Sequence, residues 1–174
     1  MMAETIAFAL RNLPLFLFVA GLALAAARRT GAPEGPDRSL GGILLLPIGV
    51  TGVWAAVFHL VFPQIAAADI GWEVSPFEFE VGLADLAIGG TASASFWHGL
   101  DFKAAAVLAS SIFLLGDAIG HVKQMIVAGN FAPGNAGVPF YSDMAFPVLA
   151  IILLMIVRRS QAAPRISWKS LRTQ

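Results

Sequence analysis

Five apolar runs divide this chain, at residues 5–27, 41–62, 76–97, 102–128 and 141–157. Each is close to the ~20 residues that an α-helix needs to cross ~30 Å of hydrocarbon. Lipid offers the backbone no hydrogen-bond partner, so separate runs of this length have one workable conformation, the α-helix. The expected fold is therefore all-α: a polytopic membrane helical bundle of about five transmembrane helices, forming a single transmembrane domain over residues 1–174. Composition agrees, with 57% hydrophobic and 13% charged residues and a mean hydropathy of +0.77, outside the range of ordinary soluble domains. The first run is broken by Arg11, Asn12 and Pro14 and ends at Arg28 and Arg29. Its "LALAAA" carries the small residues that a signal peptidase prefers, but acidic Glu4 precedes it where a signal peptide carries basic residues. It is read as a retained helix.

Basic residues orient the bundle. The segment "RRTGAPEGPDR" holds Arg28, Arg29 and Arg38, and the basic tail over residues 158–174 holds Arg158, Arg159, Arg165, Lys169 and Arg172. Both are expected to face the cytoplasm, with Lys103, which gives an N-out, C-in topology. Of the outer connections, "PQIAAADIGWEV" mixes apolar and acidic residues and suits a short interfacial segment. "GNFAPGNAGVPFYSD" is dense in turn-forming residues and reads as a loop that can act as a lid or wall. At the inner turn, Trp97 suits an interface anchor and His98 a solvated site; Gly99 is expected to end the third helix and Asp101 to cap the fourth.

Charge and residue type exclude several functions. The 11 basic and 11 acidic residues leave no surplus to neutralise phosphates, so nucleic acid is not an expected partner. Without cysteine there is no disulfide, no thiolate metal site and no cysteine nucleophile, and any metal would need imidazole and carboxylate ligands. No serine elbow or Gly-rich phosphate loop is present, and Ser110 and Ser111 read as packing residues of a membrane helix. An enzyme is thus the least favoured reading.

The fourth run ends in "LLGDAIGHVKQ", where leucine or alanine would be ordinary. Asp117 and His121 are four apart and share a helix face that Gln124 continues, while Gly116 and Gly120 form a G-x-x-x-G that admits a neighbouring helix. Counted along the helices, other ionisable groups fall at the same outer depth: Arg11, His59, Glu78, Glu80 and Asp143. The inner half contributes almost none. Ionisable groups inside a bilayer are costly, which makes them functional candidates by default. The candidate site is His59, Glu80, Asp117 and His121, with Arg11, Glu78 and Asp143 as possible supports. Each has a plainer reading. Arg11 can pair with a carboxylate or snorkel, Lys123 can snorkel, Glu78 can complement a helix dipole, and Asp143 can cap a helix that bends at Pro147. Asp85, seven residues beyond Glu78 and on the face of Gly82 and Gly89, needs a partner or a proton.

Two imidazoles with carboxylates suit a divalent metal ion such as Zn, Mn or Fe, and equally suit a proton held or passed near neutral pH. Neither H-E-x-x-H nor a repeated Glu-x-x-His occurs, so the helical metal signatures are unmet. Three functional readings follow. The first is binding or translocation of a cation, metal ion or proton from the outer side. The second is an accessory subunit of a larger membrane complex, with the cluster as interhelical glue. The third is a membrane-embedded metal-dependent enzyme. A homo-oligomer through Gly116 and Gly120 fits the small size of the bundle.

At "PFEFEVGLADLAIG", "SIFLLGDAIGHVKQ" and "NFAPGNAGVPFYSD" the chain resembles a family of small bacterial multi-pass membrane proteins of unknown function. The resemblance implies a helical protein of the bacterial inner membrane and supplies no activity, ligand or site residue.

Overall fold

The computed structural model describes residues 8, 11–27 and 35–162. Glu4, Arg28, Arg29, Arg165, Lys169 and Arg172 lie outside the described residues, as does the start of the first expected helix. Within them the chain is helical and contains no strand. In order, α1 spans Leu13–Ala27, α2 Gly35–Ile43, α3 Thr51–Val61, α4 Pro63–Ile70, α5 Phe77–Ser95, α6 Leu100–Ala128, α7 Pro133–Ala136 and α8 Val138–Ala162. A π-helical segment, Leu44–Val50, joins α2 to α3 without a break.

Among the described residues, three helical stretches are long and apolar enough to cross a membrane: Gly35–Val61, Leu100–Ala128 and Pro133–Ala162. α1 is apolar but shorter, and α5 carries Glu78, Glu80 and Asp85 along its 19 residues. Several helix ends differ from the sequence expectation for a common reason. The second run starts at Gly35 rather than at residue 41, and the fifth at Val138 rather than at 141. Pro36 and Pro139 fall in first turns, where a missing N–H costs nothing, and Asp37 complements the N-terminal dipole. Residues that read as loop are helix starts. Gly99 is the N-cap of α6, and Asp101 sits in its first turn rather than at the cap.

Pro47 lies fully buried inside the π-helical segment. A proline in a helix removes one N–H and crowds the preceding turn, and widening the turn relieves the clash. The same stretch is where α3 and α5 come closest. A Cβ on Gly89 would lie 2.6 Å from the Val53 nitrogen and 2.8 Å from the Gly49 oxygen, and one on Gly52 3.0 Å from Gly89 Cα. Gly21 and Gly42 meet similarly between α1 and α2, where a Cβ on Gly21 would lie 2.8 Å from the Gly42 oxygen. The expected close approach at Gly116 and Gly120 is absent: a Cβ at either would meet no atom within 4 Å. Backbone proximity is thus supplied by α3 and α5, not by the G-x-x-x-G of α6.

The two ends of the bundle differ. Near the α5–α6 turn the interior is apolar, built from Leu40, Ile43, Leu44, Ile48, Ala92, Ala106 and Val107 and extended along α8 by Phe146, Ala150 and Val157. Phe18 of α1 stacks on Phe146 with ring centroids 5.5 Å apart. A buried ion pair closes this end, with Lys103 Nζ 2.8 Å from Asp37 Oδ1. Trp97 is exposed there; His98 is exposed as well, with its Nδ1 2.7 Å from the Ala94 carbonyl oxygen. The opposite, loop end holds α4, α7 and the polar groups.

Adjacent glycines of α5 separate packing from propensity. Gly89→Ala is expected to lower unfolding free energy in detergent by about 1–3 kcal/mol through the clash with α3. Gly90→Ala, where a Cβ meets nothing within 4 Å, should be neutral or gain up to about 1 kcal/mol. Equal effects of the two would contradict the packing described.

Candidate functional site

The loop end is tied together by asparagines. α6 ends at Gly129, whose φ of 61° lets the chain turn left-handed and fold back over the helix. Asn130 then bridges to the end of α4: its Nδ2 donates to the carbonyls of Ile70 at 2.9 Å and Gly71 at 3.2 Å, and its Oδ1 accepts from the Ala132 N–H at 3.0 Å. Gly71 ends α4 with a φ of 78°. α7 packs so closely on α4 that a Cβ on Gly134 would lie 2.6 Å from the Asp69 oxygen. Arg11 is held at this rim, its Nε 2.7 Å from Asp69 Oδ1. It therefore pairs with a carboxylate outside the candidate cluster and does not support it.

Asn135 is fully buried beneath this lid. Its Nδ2 donates to two carbonyls, those of Asn130 at 2.9 Å and His121 at 3.3 Å. That fixes the amide orientation, so Oδ1 is the atom 2.8 Å from His121 Nδ1, and Nδ1 must carry the proton and donate. His121 Nε2 faces Asp143 Oδ2 at 3.6 Å. The ring lies between Trp72 and Phe140, with centroids 6.0 and 6.3 Å away, and the residue is buried. His121 thus points inward rather than to lipid. Asp143 is not an N-cap: it stands inside α8, past its first turn, and faces this ring.

His59 makes a second pair. Its Nδ1 is 2.6 Å from Glu78 Oε2, close enough that one proton lies between them, and its Nε2 is 3.9 Å from Asp85 Oδ2. Glu78 and Asp85 are both buried on the face of α5 that includes Gly82 and Gly89. Glu80 is exposed on the opposite side of the helix and reaches neither histidine. Two residues along a helix is a rotation of about 200°, so Glu78 and Glu80 cannot share a face. The carboxylate beside His59 is Glu78, and the deeper one is Asp85. Asp117 is half-buried and makes no hydrogen bond or ion pair with a described residue. It acts electrostatically on Asp85 and His121, and Asp143 acts on both Asp85 and Asp117, so the two histidine pairs are coupled through charge. Among the described residues no three His, Asp or Glu side chains converge into a group able to hold a metal ion.

Two residues here were not selected from the sequence. Asn135 lies in a Gly/Pro/Asn loop where asparagine is ordinary, and nothing in the local pattern singles it out. Asp85 did carry a signal, the seven-residue spacing from Glu78 along the glycine face of α5.

The arrangement is that of a helical protein with helices long and apolar enough to cross a membrane and, near one end, a buried to half-buried group of two imidazoles and four carboxylates. The chain belongs to a family of unknown function (DUF6790), whose pattern matches residues 11–163. Neither a curated protein nor a solved structure matches it.

Asn135→Ala is expected to lower unfolding free energy by about 1–3 kcal/mol, because the His121 Nδ1–H and two carbonyls lose their partner. Gln124→Ala, on the same face of α6 but without a side-chain hydrogen bond, should change it by no more than about 0.5 kcal/mol. Chemical or thermal unfolding in a fixed detergent compares the two.

Proposed function

We propose that this is an integral membrane protein, N-out and C-in, that takes up protons from the outer side and holds them in the histidine/carboxylate layer. The observation that carries the reading is the imbalance of the layer. Among the described residues, His59 and His121 are its only groups that can become cationic, beside Glu78, Asp85, Asp117 and Asp143. Even with both imidazoles protonated and every carboxylate ionised, it would carry a formal charge of −2. Arg11 is committed to Asp69 at the rim and Lys103 to Asp37 at the other end, so neither cation compensates it. Charge at this depth must be neutralised, and protons on the layer's own oxygens and nitrogens do so without a converging ligand set. The bacterial inner membrane is the setting this topology fits.

The two histidines take different parts in this scheme. Both nitrogens of His59 face carboxylates, so a proton accepted at Nδ1 from Glu78 can leave from Nε2 to Asp85, two turns further along α5. Glu78 is nearer the loop end, and Asp85 lies about 10 Å deeper along the helix. His59 is thus a conduit. His121 is a terminus, because its Nδ1–H is committed to an amide oxygen that cannot take the proton on, and it exchanges only at Nε2 with Asp143. Asp117 acts electrostatically on a member of each pair, Asp85 and His121. The interior below the layer is built largely from apolar side chains, and Lys103 and Asp37 at the far end are paired with each other, which supports reversible uptake rather than through-conduction.

Potentiometric titration of the purified protein tests this. The wild type should bind more protons between about pH 5 and 8 than a variant carrying Asp85→Asn, Asp117→Asn and Asp143→Asn, with surface groups cancelling in the difference. His59→Gln should slow uptake in a pH-jump experiment while leaving the final number bound by the remaining groups, and His121→Gln should remove one exchanging group without slowing the rest. Titration curves that superimpose would overturn the reading. Dependence of the difference on a divalent metal, lost on chelation, would replace protons with a metal ion.

A further inference from the structure

The end of the bundle opposite the histidines carries a narrow open cleft between four helix termini. Leu24 and Ala25 near the end of α1, Asp37 and Arg38 in the first turn of α2, Phe96 just past α5 and Lys103 in the first turn of α6 line it. Lys103 is only 5% exposed, and among the described residues its ammonium makes one hydrogen bond, to Asp37 Oδ1 at 2.8 Å. An ammonium has three N–H donors, so two of these buried donors have no acceptor among the described residues. A Cβ on Gly41 would lie 3.9 Å from the same Nζ, so the missing side chain leaves the ammonium open to the cleft. Arg38 lines it with a guanidinium of five donors, and Asp37 is the one carboxylate in the lining beside these two cations.

We infer that this cleft binds an anionic phospholipid, whose phosphate sits at its mouth and accepts hydrogen bonds from Lys103 Nζ and the Arg38 guanidinium. A buried ammonium short of acceptors is satisfied best by a charged group with several oxygens, and a phosphate has enough of them to take Lys103 and Arg38 together. The N-termini of α2 and α6 meet here and add the positive ends of two helix dipoles. The cleft is too narrow to enclose a headgroup, which leaves the rest of the lipid outside it. Leu24 and Ala25, at the end of an apolar helix, favour a lipid phosphate over a free one, because they give an acyl chain a surface beside the two cations. Both α2 and α6 belong to stretches long and apolar enough to cross a membrane, so their first turns fall at headgroup depth. The inference rests on the membrane placement proposed above, whose topology assigns the cleft to the inner leaflet, and it is independent of proton uptake.

Native mass spectrometry of the full chain in a neutral detergent tests this by titration with dioctanoyl phosphatidylglycerol, dioctanoyl phosphatidylcholine or inorganic phosphate. The wild type should retain one phosphatidylglycerol per chain, bound about tenfold more tightly than phosphatidylcholine. Arg38→Gln should reduce that preference about tenfold. Lys103→Met combined with Asp37→Asn removes the buried pair without changing net charge, and it should abolish the preference as well. Arg159→Gln changes net charge by the same amount as Arg38→Gln, at the same end of the bundle but outside the cleft lining; it should leave binding within about twofold. Equal retention of the two lipids, or an Arg159→Gln loss as large as that of Arg38→Gln, would overturn the proposal by showing diffuse attraction. Inorganic phosphate that binds as tightly as the anionic lipid would overturn lipid as the occupant. Failure of proton uptake in the titrations above would leave these outcomes unchanged.

Discussion

The constraint on which the loop end depends is the cost of unbalanced charge in a medium that cannot solvate it. Among the described residues, Glu78, Asp85, Asp117 and Asp143 are grouped with two imidazoles and no paired lysine or arginine. In water this would be unremarkable composition. Inside a bundle, a carboxylate without a counter-charge costs several kcal/mol and settles by pairing or by taking a proton. The surrounding structure is arranged consistently with that demand: α5 turns Glu78 and Asp85 onto His59, and the asparagine lid turns His121 Nε2 onto Asp143.

The rest of the fold serves to bring those groups close and keep them there. Gly49, Gly52 and Gly89 let α3 and α5 approach at backbone distance, which is what places His59 of α3 over the carboxylate face of α5. Pro47 opens the helix into a π-helical turn within the same stretch. The largely apolar interior at the other end, closed by the Lys103–Asp37 pair, leaves the histidine/carboxylate groups in one half. Asymmetry in depth is therefore a property of packing as well as of sequence.

Much of this was legible in the sequence. Helical periodicity is a local signal, so the all-helical character and the shared face of Asp117 and His121 follow from spacing alone. Depth counted along a helix also put His59, His121 and Asp143 in one half. Rotation was the harder quantity: depth favoured Glu80 over Glu78, but the 200° between them turns Glu80 outward and Glu78 toward His59. Gly116 and Gly120 have the spacing of a packing motif and yet face open space, because spacing does not say which neighbour fills it. The helices extend upstream of the apolar runs because Pro36 and Pro139 sit in first turns, and the role of Asn135 depends on a tertiary meeting that no local pattern encodes.

The central claim, that protons neutralise this layer, can be seen directly by infrared spectroscopy of the protein in bilayers near neutral pH. The account predicts a protonated-carboxyl C=O band that shifts on deuteration and disappears when Asp85, Asp117 and Asp143 are together replaced by asparagine. A spectrum in which every carboxyl of the wild type is ionised, with no band lost in the triple variant, would contradict it.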